Sequence, residues 1–192
     1  MAGSIIVFSA ASGAGKSTVL AKLKERIPEL VYSISSTTRA PRGDEKNSVE
    51  YFFLTKEEFK DGIDNGDFVE WAEVHGNYYG TSLTFIKEQM NSGKTVVMDI
   101  DVQGKVLLDK KQSETKGIFI DVPSADELER RLRSRGTDSE KDIKLRLENA
   151  VKEQEFARFE GKYNYYIVND DLDVCVDKIE RTVRLIMSQA GE

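Results

Sequence analysis

The chain has 192 residues, with 28 basic side chains against 34 acidic ones and a formal net charge of −6. At ~100–200 residues per domain this is one domain, its 39% apolar content suffices for a core, and its acidic balance argues against a general nucleic-acid binder. The single cysteine, Cys175, excludes an internal disulfide framework and a cysteine-rich metal site, and the single histidine, His75, excludes a histidine zinc cluster.

Residues 1–15 are uncharged, but their apolar part is only Ile5-Ile6-Val7-Phe8 with no Lys or Arg before it, so a secretory leader is not expected. No apolar run approaches the ~20 residues that span a bilayer. The expectation is a soluble, cytoplasmic protein with no membrane or nucleic-acid partner. Residues 4–9 read as a short buried strand, and residues 17–26 have helical spacing through Val19, Leu20 and Leu23, closed by Pro28. Residues 95–101, 117–122 and 165–168 are further β-branched or aromatic runs suited to a buried parallel sheet. Helices are expected between and after them, at 82–91, 103–110, 124–134 and 171–188. Thr55 with Glu58, and Ser124 with Glu127, have the spacing of capping boxes. Alternating strands and helices indicate a three-layer α/β fold.

Two stretches break the alternation. Residues 33–81 look like a β-rich insert, with strands at 31–36, 51–53 and 67–74 and a short helix near 55–63. Residues 131–146 carry Arg131, Arg133, Arg135 and Arg146 around Gly136-Thr137-Asp138. They read as a solvated helix pair or as a lid that closes over polyphosphate.

The most specific signal is Ala10-Ala11-Ser12-Gly13-Ala14-Gly15-Lys16-Ser17, between the first strand and the first helix. Glycines let successive N–H groups converge on one anion, and the helix adds its positive end. Lys16 reaches the β/γ-phosphates and the Ser17 hydroxyl suits Mg²⁺. The first position holds Ala10 where the strict pattern has glycine. A side chain there is tolerable at negative φ, so Ala10 should end the strand and the strained turns should fall at Gly13 and Gly15. Asp99 closes an apolar run, where a carboxylate would help position hydrated Mg²⁺. By strand alternation Asp101 should share its face.

A phosphate loop supplies a donor, and the insert should bind an acceptor. Arg39 and Arg42 lie beside the hydroxyls of residues 35–38, and guanidinium forks match phosphate oxygens. Glu45, Tyr51, Glu70 and residues 77–81 add a carboxylate–tyrosine set that could hold one phosphomonoester and read a base edge.

At this point the sequence resembles guanylate kinases, along essentially its whole length. The resemblance rests on SGAGKST, SSTTRAPR, EYFF, FVEWAEVHGNYYGTS, VVMDIDVQG, RLRSRGTDS and YIVNDDL, in that order. It implies a P-loop fold made of a core (1–32, 82–124 and 159–192), a GMP-binding insert (33–81) and a helical lid (125–158). It implies transfer of the γ-phosphoryl group of ATP to GMP, with Mg²⁺ accompanying ATP, by a monomer or homodimer. ATP would lie on Gly13, Ala14, Gly15, Lys16, Ser17 and Thr18, with Arg131, Arg135 and Asn169. GMP would lie on Ser35, Arg39, Arg42, Tyr51, Glu70, Tyr79, Gly80, Thr81 and Asp101. Lys16, Arg39, Arg135 and Arg146 would serve catalysis, with Ser17 and, through water, Asp99 at the metal.

The residues agree with that reading. Guanine presents N1–H and N–H₂ donors where adenine presents an acceptor and C–H, so a carboxylate such as Glu70 favours guanine. A phosphate acceptor is already anionic near neutral pH, so no general base is needed. Two alternatives stand beside it: an inactive binding module of the same fold, and a nucleoside monophosphate kinase of another base specificity. The sequence departs from the family pattern at Ala10-Ala11, at Gly43-Asp44-Glu45 and at Ser48, where a glycine is usual. Trp71 is expected to pack and orient Glu70, Cys175 to lie in the core, and His75 to be a solvated loop residue.

Overall fold

In the computed structural model, residues 3–74, 76–112, 115–134 and 139–189 are described. His75, Arg135 and Gly136-Thr137-Asp138 lie outside them. The first strand, β1 (Ile5–Ala10), is followed by α1 (Lys16–Arg26), β2 (Val31–Tyr32) and β3 (Ser35–Thr37). Next come β4 (Phe52–Phe53), α2 (Lys56–Asp64), β5 (Phe68–Val74), β6 (Asn77–Ser82) and α3 (Leu83–Asn91). The remainder is β7 (Val96–Asp99), α4 (Val102–Lys111), β8 (Thr115–Asp121), α5 (Ala125–Ser134), α6 (Glu140–Phe159), β9 (Tyr165–Val168) and α7 (Leu172–Gln189).

Five strands form a core sheet in the order β2-β7-β1-β8-β9, with every pairing parallel. The alternation of β1 explains why helices cover both sides. Ile6 and Phe8 face a cluster containing Leu20 and Leu23 of α1, Leu128 and Leu132 of α5, and Val176 and Ile179 of α7. Ile5 and Val7 face the other way, against Ile86 of α3, Leu108 of α4 and Val69 of β5. Each fully buried aliphatic or aromatic side chain contributes about 1.5–3 kcal/mol, so β1 is firmly anchored on both faces. The ends of β1 and β7 therefore hold fixed positions. Cys175 is buried in the first cluster, as expected.

The second sheet, β4-β3-β6-β5, is built from residues 35–82. The Thr55–Glu58 capping box forms in full and starts α2. This helix places Phe59 against Phe68 at 4.2 Å and against Tyr78 at 5.4 Å between ring centres. Gly80 faces that stack, where a Cβ would stand 3.1 Å from Phe59. A side chain at position 80 would break the packing under the second sheet.

Four differences from the sequence reading stand out. The strand expected over 31–36 is two strands: β2 joins the core sheet at β7, and β3 joins the second sheet. Hydrophobic alternation is the same on both sides of this crossover, so the pattern could not show it. The strand β6 was not expected, because Asn-Tyr-Tyr-Gly-Thr is more polar and turn-like than a buried strand. The stretch read as a helix pair or helical lid contains a single 20-residue helix, α6, longer than the arginine spacing suggests; its start is fixed by a capping box between Ser139 and Asp142. In α5, Ser124 accepts from Glu127 N–H, but the Glu127 carboxylate binds Arg130 and Arg131.

Candidate active site

The loop between β1 and α1 is held by strand and helix rather than by its own side chains. Ala10 is the last residue of β1, and among the described residues only Ser48 and Lys162 are non-glycines at positive φ. The turns fall at Gly13 (φ 85°) and Gly15 (φ 89°), as the sequence argument required. A Cβ on Gly13 would lie 2.5 Å from Leu128, and one on Gly15 would lie 2.8 Å from the Asn169 amide. Gly15 caps α1 without a side chain, so the first N–H groups of that helix keep their capacity for an anion.

Residues 10–18 line a cavity of about 370 Å³, whose other walls are Arg146 and Glu153 of α6. Gly13, Ala14, Gly15, Lys16, Ser17, Thr18 and Arg146 are thus brought together. Lys16 Nζ pairs with the Asp99 carboxylate at 2.5 Å. Glu153 was not foreseen. Its Oε2 accepts from Ser12 N–H at 2.7 Å, and burial raises its pKa against the pull of that N–H and of the Lys16 charge. Only its place on α6 reveals it, because the sequence reading of a helical lid did not say which side of that helix faces the loop.

Arg131 and Asn169 line no part of this cavity. The Asn169 amide donates to the Ala14 carbonyl at 2.8 Å, from a side chain that is almost fully buried. Arg131 donates to the Asn169 and Asp170 carbonyls and pairs with Glu127. Together they brace the loop from behind.

A second cavity of about 320 Å³ lies between the two sheets, lined by Ser35, Glu70, Trp71, Thr81, Asp99 and Asp101 among others. Its four expected base-reading residues therefore share one space. Glu70 Oε1 accepts from the Thr81 hydroxyl at 2.7 Å. Burial raises the Glu70 pKa; the Thr81 bond opposes this and the Asp101 charge adds to it. Asp101 reaches the cavity by a route other than strand alternation: β7 ends at Asp99, and Asp101 is the N-cap of α4, accepting from Gly104 N–H at 2.7 Å. Trp71 also departs from expectation. It is 47% exposed, meets Tyr78 edge-on at 5.9 Å and forms part of the cavity wall.

The remaining acceptor residues form a cluster on the second sheet and line neither cavity. The Arg39 guanidinium pairs with Glu45 at 2.9 Å and lies 5.4 Å from the Tyr51 ring centre. Tyr51 meets Tyr79 edge-on at 6.3 Å. Arg42 donates its backbone N–H to Glu45 at 2.8 Å, and its side chain is exposed. Glu45 thus sets the turn after Arg42 and holds Arg39 at once. Ser48, in the usual glycine position, takes the left-handed conformation at φ 65° and donates its N–H to the Tyr51 carbonyl at 2.8 Å. A serine here therefore carries the left-handed strain that a glycine would avoid.

Comparison with known proteins agrees with this geometry. Residues 2–185 match the family described as guanylate kinase. A Thermotoga maritima protein named guanylate kinase is 40% identical over 192 residues, covering all of this chain and 90% of that one. A Fusobacterium nucleatum protein of the same name is 46% identical over 178 residues, covering 92% of this chain and 94% of its own. The crystal structure of guanylate kinase from Anaplasma phagocytophilum superposes with a TM-score of 0.70 at 34% identity, covering 97% of this chain and 87% of that one. The chain belongs to the guanylate kinase family.

Proposed function

We propose the following division of labour for the reaction of this family, transfer of the γ-phosphoryl group of ATP to GMP. The loop cavity takes the ATP phosphates and the cavity between the sheets takes guanine. The observation that supports this most is the Lys16–Asp99 pair, because Lys16 lines the first cavity and Asp99 lines the second. The two cavities thus adjoin at one ion pair, so nucleotides bound in them would lie side by side.

Glu70 accepts the N1–H and N–H₂ of guanine, with Thr81, Ser35 and Asp101 beside it. Adenine would leave this half-buried carboxylate unpaired, and such polar mismatches discriminate by on the order of 10⁴-fold. Arg39, Arg42, Tyr51 and Tyr79 hold the GMP phosphate, for which Arg39 exchanges its Glu45 partner. The acceptor oxygen is already ionised, so positioning and charge neutralisation carry the chemistry. Lys16 and Arg146, with Arg135 from the lid, neutralise charge on the transferring group. The core, insert and lid follow the boundaries given above.

The donor set fits Mg²⁺ arriving with the nucleotide. Among the described residues no three His, Cys, Asp or Glu side chains form a metal cage, while the Ser17 hydroxyl and the Asp99 carboxylate offer hard oxygens beside the phosphate cavity. Ser17 would ligate it directly and Asp99 through water; when bound, the ion would offset charge on the β- and γ-phosphate oxygens. No helix of the described residues is long and apolar enough to cross a membrane, and we place the protein in the cytoplasm, as a monomer or homodimer.

A coupled assay of ADP release with GMP, AMP, UMP and CMP in parallel tests this reading. Turnover with GMP alone is expected. Equal turnover with AMP would contradict the base assignment, and no turnover with any of them would favour the inactive binding module.

A further inference from the structure

The C-terminal half of α6 is tied to the core. Gln154 donates to Asp121 at the end of β8, Ala157 is buried, and its carbonyl accepts from the Tyr166 hydroxyl of β9. The helix also packs beside α5, and its N-terminal half buries Ile143 in the cluster that holds Leu128 and Leu132 of α5. Arg146 sits in this half and must face the donor phosphates if it is to stabilise the transferring group. Glu153 stands where the two halves join. It lies about two turns from Arg146, so both project from one side of the helix and line the loop cavity together. Its carboxylate accepts the Ser12 N–H at 2.7 Å, which ties this helix directly to the phosphate loop.

We propose that Glu153 is a positioning residue for phosphoryl transfer: by accepting the Ser12 N–H it fixes α6 on the loop in the register that aims Arg146 into the donor cavity. The proposal rests on the assignment of Arg146 given above. A carboxylate beside a polyphosphate site is electrostatically unfavourable, and its burial makes it more so. A surface salt bridge or a simple packing residue would not need one there. What the carboxylate supplies is an acceptor for a backbone N–H that the loop conformation leaves pointing at α6. An amide oxygen can do the same without charge, and a methyl group cannot.

This distinction sets the test. Steady-state kinetics are measured for Glu153→Ala, Glu153→Gln, Arg146→Ala and the Glu153→Ala/Arg146→Ala double variant, with GMP affinity by calorimetry and thermal unfolding for each. Glu153→Ala should lower kcat by about 10- to 100-fold, the scale of a small misplacement of a catalytic group, with GMP affinity held within about 3-fold. Glu153→Gln should recover most of that loss. In the Arg146→Ala background, Glu153→Ala should cost little more, because the two act through one contact. Full additivity in the double variant, or a Gln variant as slow as Ala at equal thermal stability, would overturn the proposal. If Arg146→Ala itself leaves kcat unchanged, the fault lies in the Arg146 assignment. If Arg146→Ala is slow and Glu153→Ala is not, the positioning role alone fails.

Discussion

On the proposed assignment, the donor loop and the acceptor sheet would bind similar anions by opposite means. The loop is one contiguous segment between a buried strand and a helix, and most of the groups it offers an anion are backbone N–H, with the Lys16 ammonium beside them. Its geometry is over-determined: Leu128 fills the space beside Gly13, and Asn169 fills the space beside Gly15. The acceptor sheet gathers side chains from four separated segments, and its arginine already has a carboxylate partner in Glu45. One region is set by packing, the other by exchangeable polar contacts. A side chain added to the loop should therefore damage the fold, whereas changes on the sheet should alter affinity and selectivity first.

The largest effect is expected at the junction of the two. Replacing Lys16 by Met should lower kcat by about 10²–10³-fold, the usual cost of removing one preorganised charge stabiliser, with GMP affinity little changed. A loss confined to KM would make Lys16 only a binder of ground-state phosphate.

Next comes the loop. Gly15→Ala puts a Cβ into the left-handed region and against Asn169, so chemical denaturation should show a stability loss of at least ~1–2 kcal/mol. Wild-type stability in this variant would mean the loop is not over-determined. The acceptor sheet should behave the other way at Ser48. Relief of ~1–2 kcal/mol of left-handed strain is partly offset by ~0.4–1 kcal/mol of added unfolded-state entropy, so Ser48→Gly should gain about 0.5–1 kcal/mol. A measured loss would show that the serine side chain does something the backbone does not reveal.

The smallest effect is a linkage one. Burial raises the folded-state pKa of Glu70, so the native chain holds a proton more readily than the unfolded chain, and wild-type stability falls as pH rises through that window. Glu70→Gln removes this penalty. Its melting temperature should exceed wild type slightly at pH 7, and the gain should vanish below the ordinary glutamate pKa. A gain that is independent of pH would assign the effect to packing.

How much of this was legible follows the same division. The loop, its glycines and the negative φ of Ala10 were readable because one short segment carries them between a strand and a helix. Ser35, Glu70, Thr81 and Asp101 were named through family resemblance; nothing in their spacing shows that they share one cavity, since β3, β5, β6 and α4 each bring one of them. Asp101 was expected to follow the pleat of β7, but the strand ends two residues earlier and the side chain caps a helix instead. Adjacency to Glu70 points to packing at Trp71, whereas the half-exposed ring walls the cavity itself. Glu153 was invisible because helix α6 has little amphipathic pattern; only three of its side chains, those of Ile143, Ala150 and Ala157, are buried.

Exposure of the single tryptophan makes the acceptor cavity measurable, because GMP entering it should change Trp71 fluorescence. The most direct test of the account is the ratio of kcat/KM for GMP to that for AMP, in wild type and in Glu70→Gln. The account predicts a ratio on the order of 10⁴ or more in wild type, falling by at least ~10-fold in the variant, mainly through loss of GMP activity. An unchanged ratio would remove Glu70 from base recognition, and with it the assignment of the cavity between the sheets to guanine.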